Sequence, residues 1–291
     1  MNLWAAKFGI FLINLTRHWS QRTRTRVAYA LSDLVWWLAG SRRHVTLTNL
    51  RTCFPQMPEE ERRRLGRLTF RSLGRAALDH SVLWNADREA IERYIRMEGG
   101  HHLTDPANRP LIILAPHFVG LDAGGVRTNI VVRGASIYSK QKNPVWDAWL
   151  LKARQRFSDP VLLPRQGLDM RSVIRILREG LPLYYLPDMD LGPSNSIFVP
   201  FFGVPTATIP MVSRLVRMTG ARVVVAVTEM TDDGYVVHVE APWNDFPGES
   251  VEADTARMNR ELERWVLRMP AQYFWTHKRF KTRPEGEPSI Y

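Results

Sequence analysis

His117 and Asp122 are a base and an acid five residues apart, in the run Pro116-His117-Phe118-Val119-Gly120-Leu121-Asp122. A neutral imidazole can take a proton from a hydroxyl near neutral pH, and a carboxylate on its other nitrogen fixes the tautomer and stabilises the imidazolium. Five residues of continuous helix turn through about 500°, which sets two side chains roughly 140° apart. The pair therefore meets only if His117 sits on a turn and Asp122 lies just inside a following helix. Glycines at 120, 124 and 125 suit a tight turn and close helix packing. The spacing alone is also compatible with a turn that does no more than satisfy its own polar groups.

Other segments carry groups able to bind. Arg154 and Arg156 follow a helical stretch, and Arg165 follows the apolar run Val161-Leu162-Leu163. The planar guanidinium fork recognises phosphates and carboxylates, so arginines at one rim fit an anionic substrate, although each also fits a solvated surface. Asp188 and Asp190, with Gly192 and Pro193 after them, follow the apolar run ending at Leu186. Paired acids there could accept hydrogen bonds from sugar hydroxyls, whereas two carboxylates without further ligands make an incomplete metal site. Residues 198–208, with Phe201 at their centre, are apolar enough for either core packing or a greasy groove. Residues 270–281 mix aromatics with cations, as an interfacial patch or a capping element would. Gly-x-Ser-x-Gly, Walker and His-Glu-x-x-His patterns are absent, so serine-nucleophile, nucleotide and metalloprotease chemistry lack support.

The pattern around these residues predicts the elements that must position them. A helix opens at Pro58-Glu59-Glu60-Glu61, with acids where the macrodipole favours them, and more helix is expected over 76–98. From residue 111 apolar runs alternate with helical stretches: strands at 111–115, 130–138, 160–163, 182–186, 222–230 and 235–240, with helices from 122, 144, 170, 209 and 254 between and after them. That order predicts an α/β fold, a mainly parallel or mixed sheet covered by helices. Ligands of such sheets bind at the carboxyl ends of strands, where His117 falls.

Composition narrows the setting. The 291 residues carry a net charge of +11 and one cysteine, Cys53, which excludes an intramolecular disulfide and a cysteine-based zinc site. Residues 16–76 hold thirteen arginines, four acids and no lysine, so most of the excess charge lies in the first quarter. Two apolar stretches rich in aromatics, 3–15 and 27–39, flank the run from Arg17 to Arg26. Aromatics beside arginines suit a bilayer interface. Each stretch is shorter than the ~20 residues an unassisted span requires. The reading is a short anchor or interfacial helices, with the arginines holding the main body on the cytoplasmic side. No cleavage site for a removed signal peptide follows the first stretch, and no nucleic-acid-binding motif accompanies the charge.

Taken together, HFVGLD at His117, ARQR containing Arg154 and Arg156, PDMDLGPSNSIFVPFFG from Pro187 and PAQYFWTHKRFKTRPEG from Pro270 resemble the late lipid A acyltransferases of Gram-negative bacteria, in particular the lauroyl-transferase branch. The resemblance covers nearly the whole chain. It implies a glycerolipid-acyltransferase-like domain over 41–291, with residues 1–40 as its membrane-associating segment at the inner membrane. It further implies acyl carrier protein as thioester donor, a Kdo-containing lipid A precursor as acceptor, and neither metal nor other cofactor. His117 would be the general base and Asp122 the acid that holds its ring. Arg154, Arg156 and Arg165 would contact phosphate, sugar acid or oxyanion. Asp188 and Gly192 would shape the acceptor site, and Phe201 would line an acyl groove. The nearest members carry glutamate where this chain has Asp122; the shorter acid is usual in the wider superfamily. Transfer to another lipid acceptor, or a non-catalytic membrane-binding role, are the alternatives.

Overall fold

The computed structural model describes residues 3–291, so the first two residues of the expected anchor lie outside it. Four helices come first: α1 (Leu3–Leu15), α2 (Gln21–Leu38), α3 (Gly40–Cys53) and α4 (Glu59–Leu83). Then follow α5 (Arg88–Tyr94), β1 (Ile95–Glu98), α6 (His101–Thr104), β2 (Leu111–Leu114), α7 (Leu121–Val131), β3 (Ala135–Tyr138), α8 (Pro144–Arg154), β4 (Val161–Pro164), α9 (Met170–Arg178) and β5 (Leu183–Tyr185). The chain continues through β6 (Ile197–Phe201), β7 (Val204–Thr208), α10 (Met211–Thr219), β8 (Arg222–Thr231), β9 (Gly234–Val239) and α11 (Val251–Arg268).

Seven strands form one sheet in the order β1-β9-β8-β2-β5-β3-β4, parallel except where β8 meets β9. Its centre, Leu111-Ile112-Ile113-Leu114, is buried on both faces, as parallel strands require. Successive side chains alternate between two cores. Ile112 and Leu114 join Val173, Leu177 and Trp265 on one face, while Leu111 and Ile113 join Ile91, Val126 and Ile130 on the other. This is the α/β architecture expected.

Several helices begin where a side chain satisfies a free N–H group. Ser20 accepts from Thr23 N, Asn143 from Val145 N ahead of Pro144, Asp169 from Arg171 N and Ser250 from Ala253 N. Two expectations need correction. Residues 76–98 are not one helix: α4 runs on to Leu83, and β1 forms at the sheet edge, where exposed Arg96 and Glu98 mask its strand pattern. Residues 130 and 131 end α7, and the strand begins only at Ala135. The apolar run 198–208 is a hairpin, β6 against β7, turned by Phe202 (φ +50°) and Gly203 (φ +76°), the left-handed pair that two-residue hairpin loops favour.

The N-terminal helices are fastened to the sheet domain. Arg24 of α2 donates from Nε to Asp79 of α4 at 3.2 Å, and Tyr235 of β9 donates its hydroxyl to the same carboxylate at 2.9 Å; all three side chains are buried. Thr16 Oγ1 reaches Ser81 Oγ at 2.9 Å, and Asn85 donates to Asn14 at 2.9 Å, tying the end of α1 to the end of α4. Outward, Trp4, Phe8, Phe11, Trp37 and Leu38 are exposed, Trp4 by 76% and Leu38 by 75%. No described helix is long and apolar enough to cross a membrane.

Candidate active site

His117 lies three residues beyond the end of β2, on the turn that leads to α7. The turn packs directly on β8: a Cβ on Gly120 would come within 2.7 Å of the Thr228 carbonyl, and one on Gly124 would collide with Thr228 Oγ1. Only glycine permits that approach. From the other side, Val119 N donates to Gln272 O and Phe274 N to His117 O, at 2.8 and 3.0 Å. The C-terminal segment therefore clasps the turn that carries His117, and the side chain of Gln272 pairs with both backbone groups of Met230 on β8.

The carboxylate on the imidazole is Asp188, not Asp122. His117 Nδ1 is 2.7 Å from Asp188 Oδ1, and the His117 backbone N–H donates to the same carboxylate at 3.0 and 3.2 Å. Asp188 enters from the loop after β5, which neighbours β2 in the sheet. Its side chain is fully buried. Burial works to raise its pKa, but the charge and hydrogen bond of His117 outweigh that and hold it at about 2. With Nδ1 engaged, Nε2 is the ring atom left for substrate.

Asp122, in the first turn of α7, instead meets His80 Nε2 at 2.9 Å, with Arg154 Nη2 3.8 Å from its other oxygen. Its side chain faces the cavity and is 41% exposed. Burial alone would raise its pKa; the hydrogen bond and charge of His80, followed by the charge of Arg154, hold it well below the ordinary carboxylate range. The expected bond to His117 fails because a parallel neighbour strand delivers Asp188 closer to Nδ1 than α7 delivers Asp122.

His117 and Asp122 stand at the head of a cavity of about 440 Å³ between α7 and the sheet. Met189, Leu191 and Arg165 line it near the carboxyl ends of the strands, and Val132, Gly134 and Pro182 line it where β3 and β5 begin. The walls between are mainly apolar, including Val126, Ile137 and Leu162. Arg154 and exposed Arg165 line the cavity. Arg156 does not: its guanidinium donates to the carbonyls of Leu83 and Ala86, holding the turn after α4. Phe201 is fully buried against Phe202, Tyr273 and Phe280, so it is core rather than groove. Gly192 (φ +99°) lies in the loop beside the cavity, its N–H bonded to Asp190. Asp190 in turn accepts from Thr282 N and Oγ1 at 2.6 and 2.8 Å, so the two acids serve separate ends of their loop.

Sequence reasoning missed His80 and His277. His80 carries no motif; only its place in the last turn of a long helix marks it. His277 stacks on Phe274, which stacks on His117, and burial pulls its pKa down to about 4. The mix of aromatics and cations over residues 270–281 is its one signal in the sequence.

The geometry agrees with relationships across the chain. Residues 1–282 match the family model described as bacterial lipid A biosynthesis acyltransferase. The chain is 32% identical over 293 residues to the lipid A biosynthesis lauroyltransferase of Escherichia coli (strain K12), covering 99% of this chain and 95% of that protein. It is 31% identical over 255 residues to the lipid A biosynthesis palmitoleoyltransferase of the same organism, covering 86% and 82%. The solved 1-acyl-sn-glycerophosphate acyltransferase from Thermotoga maritima covers 87% of this chain, and 98% of its own, at 15% identity and a TM-score of 0.40, too distant a likeness to add to the family match. With the family model matched from residue 1 to 282 and 32% identity to a lipid A biosynthesis lauroyltransferase over nearly the whole chain, the protein belongs to the bacterial lipid A biosynthesis acyltransferase family.

Proposed function

We propose that this protein transfers a fatty acyl chain from acyl carrier protein to the 3-hydroxyacyl hydroxyl of a Kdo-containing lipid A precursor, in the secondary acylation of lipid A. The observation that carries the reading is His117, with Nδ1 held by Asp188 and its ring on a cavity whose far walls suit a hydrocarbon chain. His117 Nε2 removes the hydroxyl proton as the oxygen attacks the thioester carbonyl. The C–S bond then breaks, and the leaving thiolate takes the proton from the imidazolium. The transfer uses neither a metal nor an acyl-enzyme. Positioned base catalysis contributes about 10²- to 10⁴-fold, and alignment of the two chains with stabilisation of the oxyanion supplies the rest.

The cavity runs beside α7 for about 15 Å, the rise of ten helical residues between Asp122 and Val132. Each methylene buried there contributes about 0.8 kcal/mol. Arg154 and Arg165 stand at the polar end to receive the acceptor's anionic groups. The exposed aromatics of α1 and α2 lie in the interface of the inner membrane on its cytoplasmic side. Since α1 is tied to α4 next to Trp84, a cavity-wall residue, a lipid acceptor enters from the bilayer plane.

The test supplies purified enzyme with acyl carrier protein thioester and, separately, the Kdo-containing precursor, lysophosphatidate and a glycolipid. Acylation of the first is expected; activity on lysophosphatidate alone would remove the lipid A assignment.

A further inference from the structure

His80, Asp122 and Arg154 come from three elements, α4, α7 and α8; Asp122 and Arg154 line the polar end of the cavity, and His80 reaches Asp122 from beside it. His80 Nε2 is 2.9 Å from Asp122 Oδ2, whereas Arg154 Nη2 stays 3.8 Å from Oδ1. The second separation exceeds the ~2.7–2.9 Å of a charge-assisted hydrogen bond. Among the described residues the Arg154 guanidinium makes no hydrogen bond; only its backbone carbonyl accepts one, from Asn129. A carboxylate this near a guanidinium normally closes on it as a bidentate pair, which would neutralise the cation. Here something holds it back.

The holding group is itself fixed. The imidazole of His80 packs on Trp84 with ring centroids 4.2 Å apart, and Trp84 meets Trp149 of α8 edge-on at 4.1 Å. His80 is thus set against the helix that carries Arg154.

We propose that His80 is a positioning residue of the active site: its bond to Asp122 keeps that carboxylate out of a full ion pair with Arg154 and leaves the guanidinium open to the anionic part of the acceptor. The proposal rests on the reading of the site as an acyltransferase with a phosphorylated acceptor.

Crystal structures and steady-state kinetics of the full chain, wild type, His80→Leu and His80→Gln, test it. Glutamine places an amide N–H near the position of Nε2; leucine offers no donor. In His80→Leu, Asp122 is expected within about 3 Å of Arg154. Its KM for the phosphorylated acceptor should rise about tenfold while kcat changes less than about threefold, the pattern of lost ground-state binding. His80→Gln should restore both distance and KM. A carboxylate that stays put in His80→Leu, an unchanged KM, or a folded His80→Gln without rescue overturns the proposal. Should His80→Leu not fold, His80→Asn, too short to reach Asp122, serves in its place. If the wild type transfers no acyl chain to a phosphorylated acceptor, the functional reading falls, and the Asp122 to Arg154 distance in the variant crystals still decides whether His80 positions that acid.

Discussion

Asp188 grips His117 twice, by the backbone N–H and by Nδ1 of the ring, so one buried carboxylate sets both the position of the loop and the tautomer of the imidazole. Those two services can be separated by substitution.

In Asp188→Asn the amide oxygen can still accept from the His117 N–H, but its NH₂ donates to Nδ1 and leaves the proton on Nε2, where the base must be free. We expect kcat to fall by about 10³- to 10⁴-fold, with the folded far-UV spectrum retained. A variant within tenfold of wild type would show that Asp188 does not set the tautomer.

Gln272→Ala leaves the buried N–H and C=O of Met230 unpaired. Each orphaned group costs about 1–3 kcal/mol, so urea unfolding should show a loss of at least about 2 kcal/mol. Activity should fall as well, because the same residue's backbone carbonyl holds Val119.

His277 gives stability a dependence on pH. Its pKa is about 4 when folded, against 6.5 for the free side chain. Between those values the unfolded chain binds more protons, so stability drops as pH falls from 6.5 and levels off below about 4. At pH 5 this amounts to about 2 kcal/mol. Comparing urea midpoints at pH 7.5 and pH 5, His277→Gln should lack that part of the decline; identical pH dependence in variant and wild type would count against it.

Trp37→Glu combined with Leu38→Glu places two charges on the exposed end of α2 without touching the buried Arg24 and Asp79 pair. Sedimentation with anionic vesicles should fall at least tenfold, since each charge opposes interfacial burial. Removing residues 1–40 outright would instead strip Asp79 of Arg24, confusing lost membrane contact with lost folding.

The sequence made His117 legible because a buried strand, a turn and a glycine-rich helix start are all local signals. Its partner was not, since Asp188 is 71 positions away and only strand order brings β5 beside β2. Asp122 was chosen on proximity along the chain, and it does open α7 just after the turn that carries His117, but Nδ1 is taken by Asp188 and Asp122 bonds His80 instead. Arg156 was misplaced for a related reason: two arginines two residues apart leave a helix end in different directions, one onto the cavity and one under α4. Phe201 could not be told from a groove residue because burial against protein and burial against lipid select the same side chain. β1 stayed hidden because the exposed Arg96 and Glu98 of an edge strand carry no apolar run.

The clasp of residues 272–274 on the turn of His117 has a consequence for synthesis. A chain emerges from the ribosome in order, and His117 is made more than 150 positions before the residues that pin its loop. Throughout that interval the strand, the cavity wall and Asp188 can assemble while the turn remains unclasped. The nascent protein thus carries His117 in an unfinished setting until residues 272–274 are free to pair with its turn.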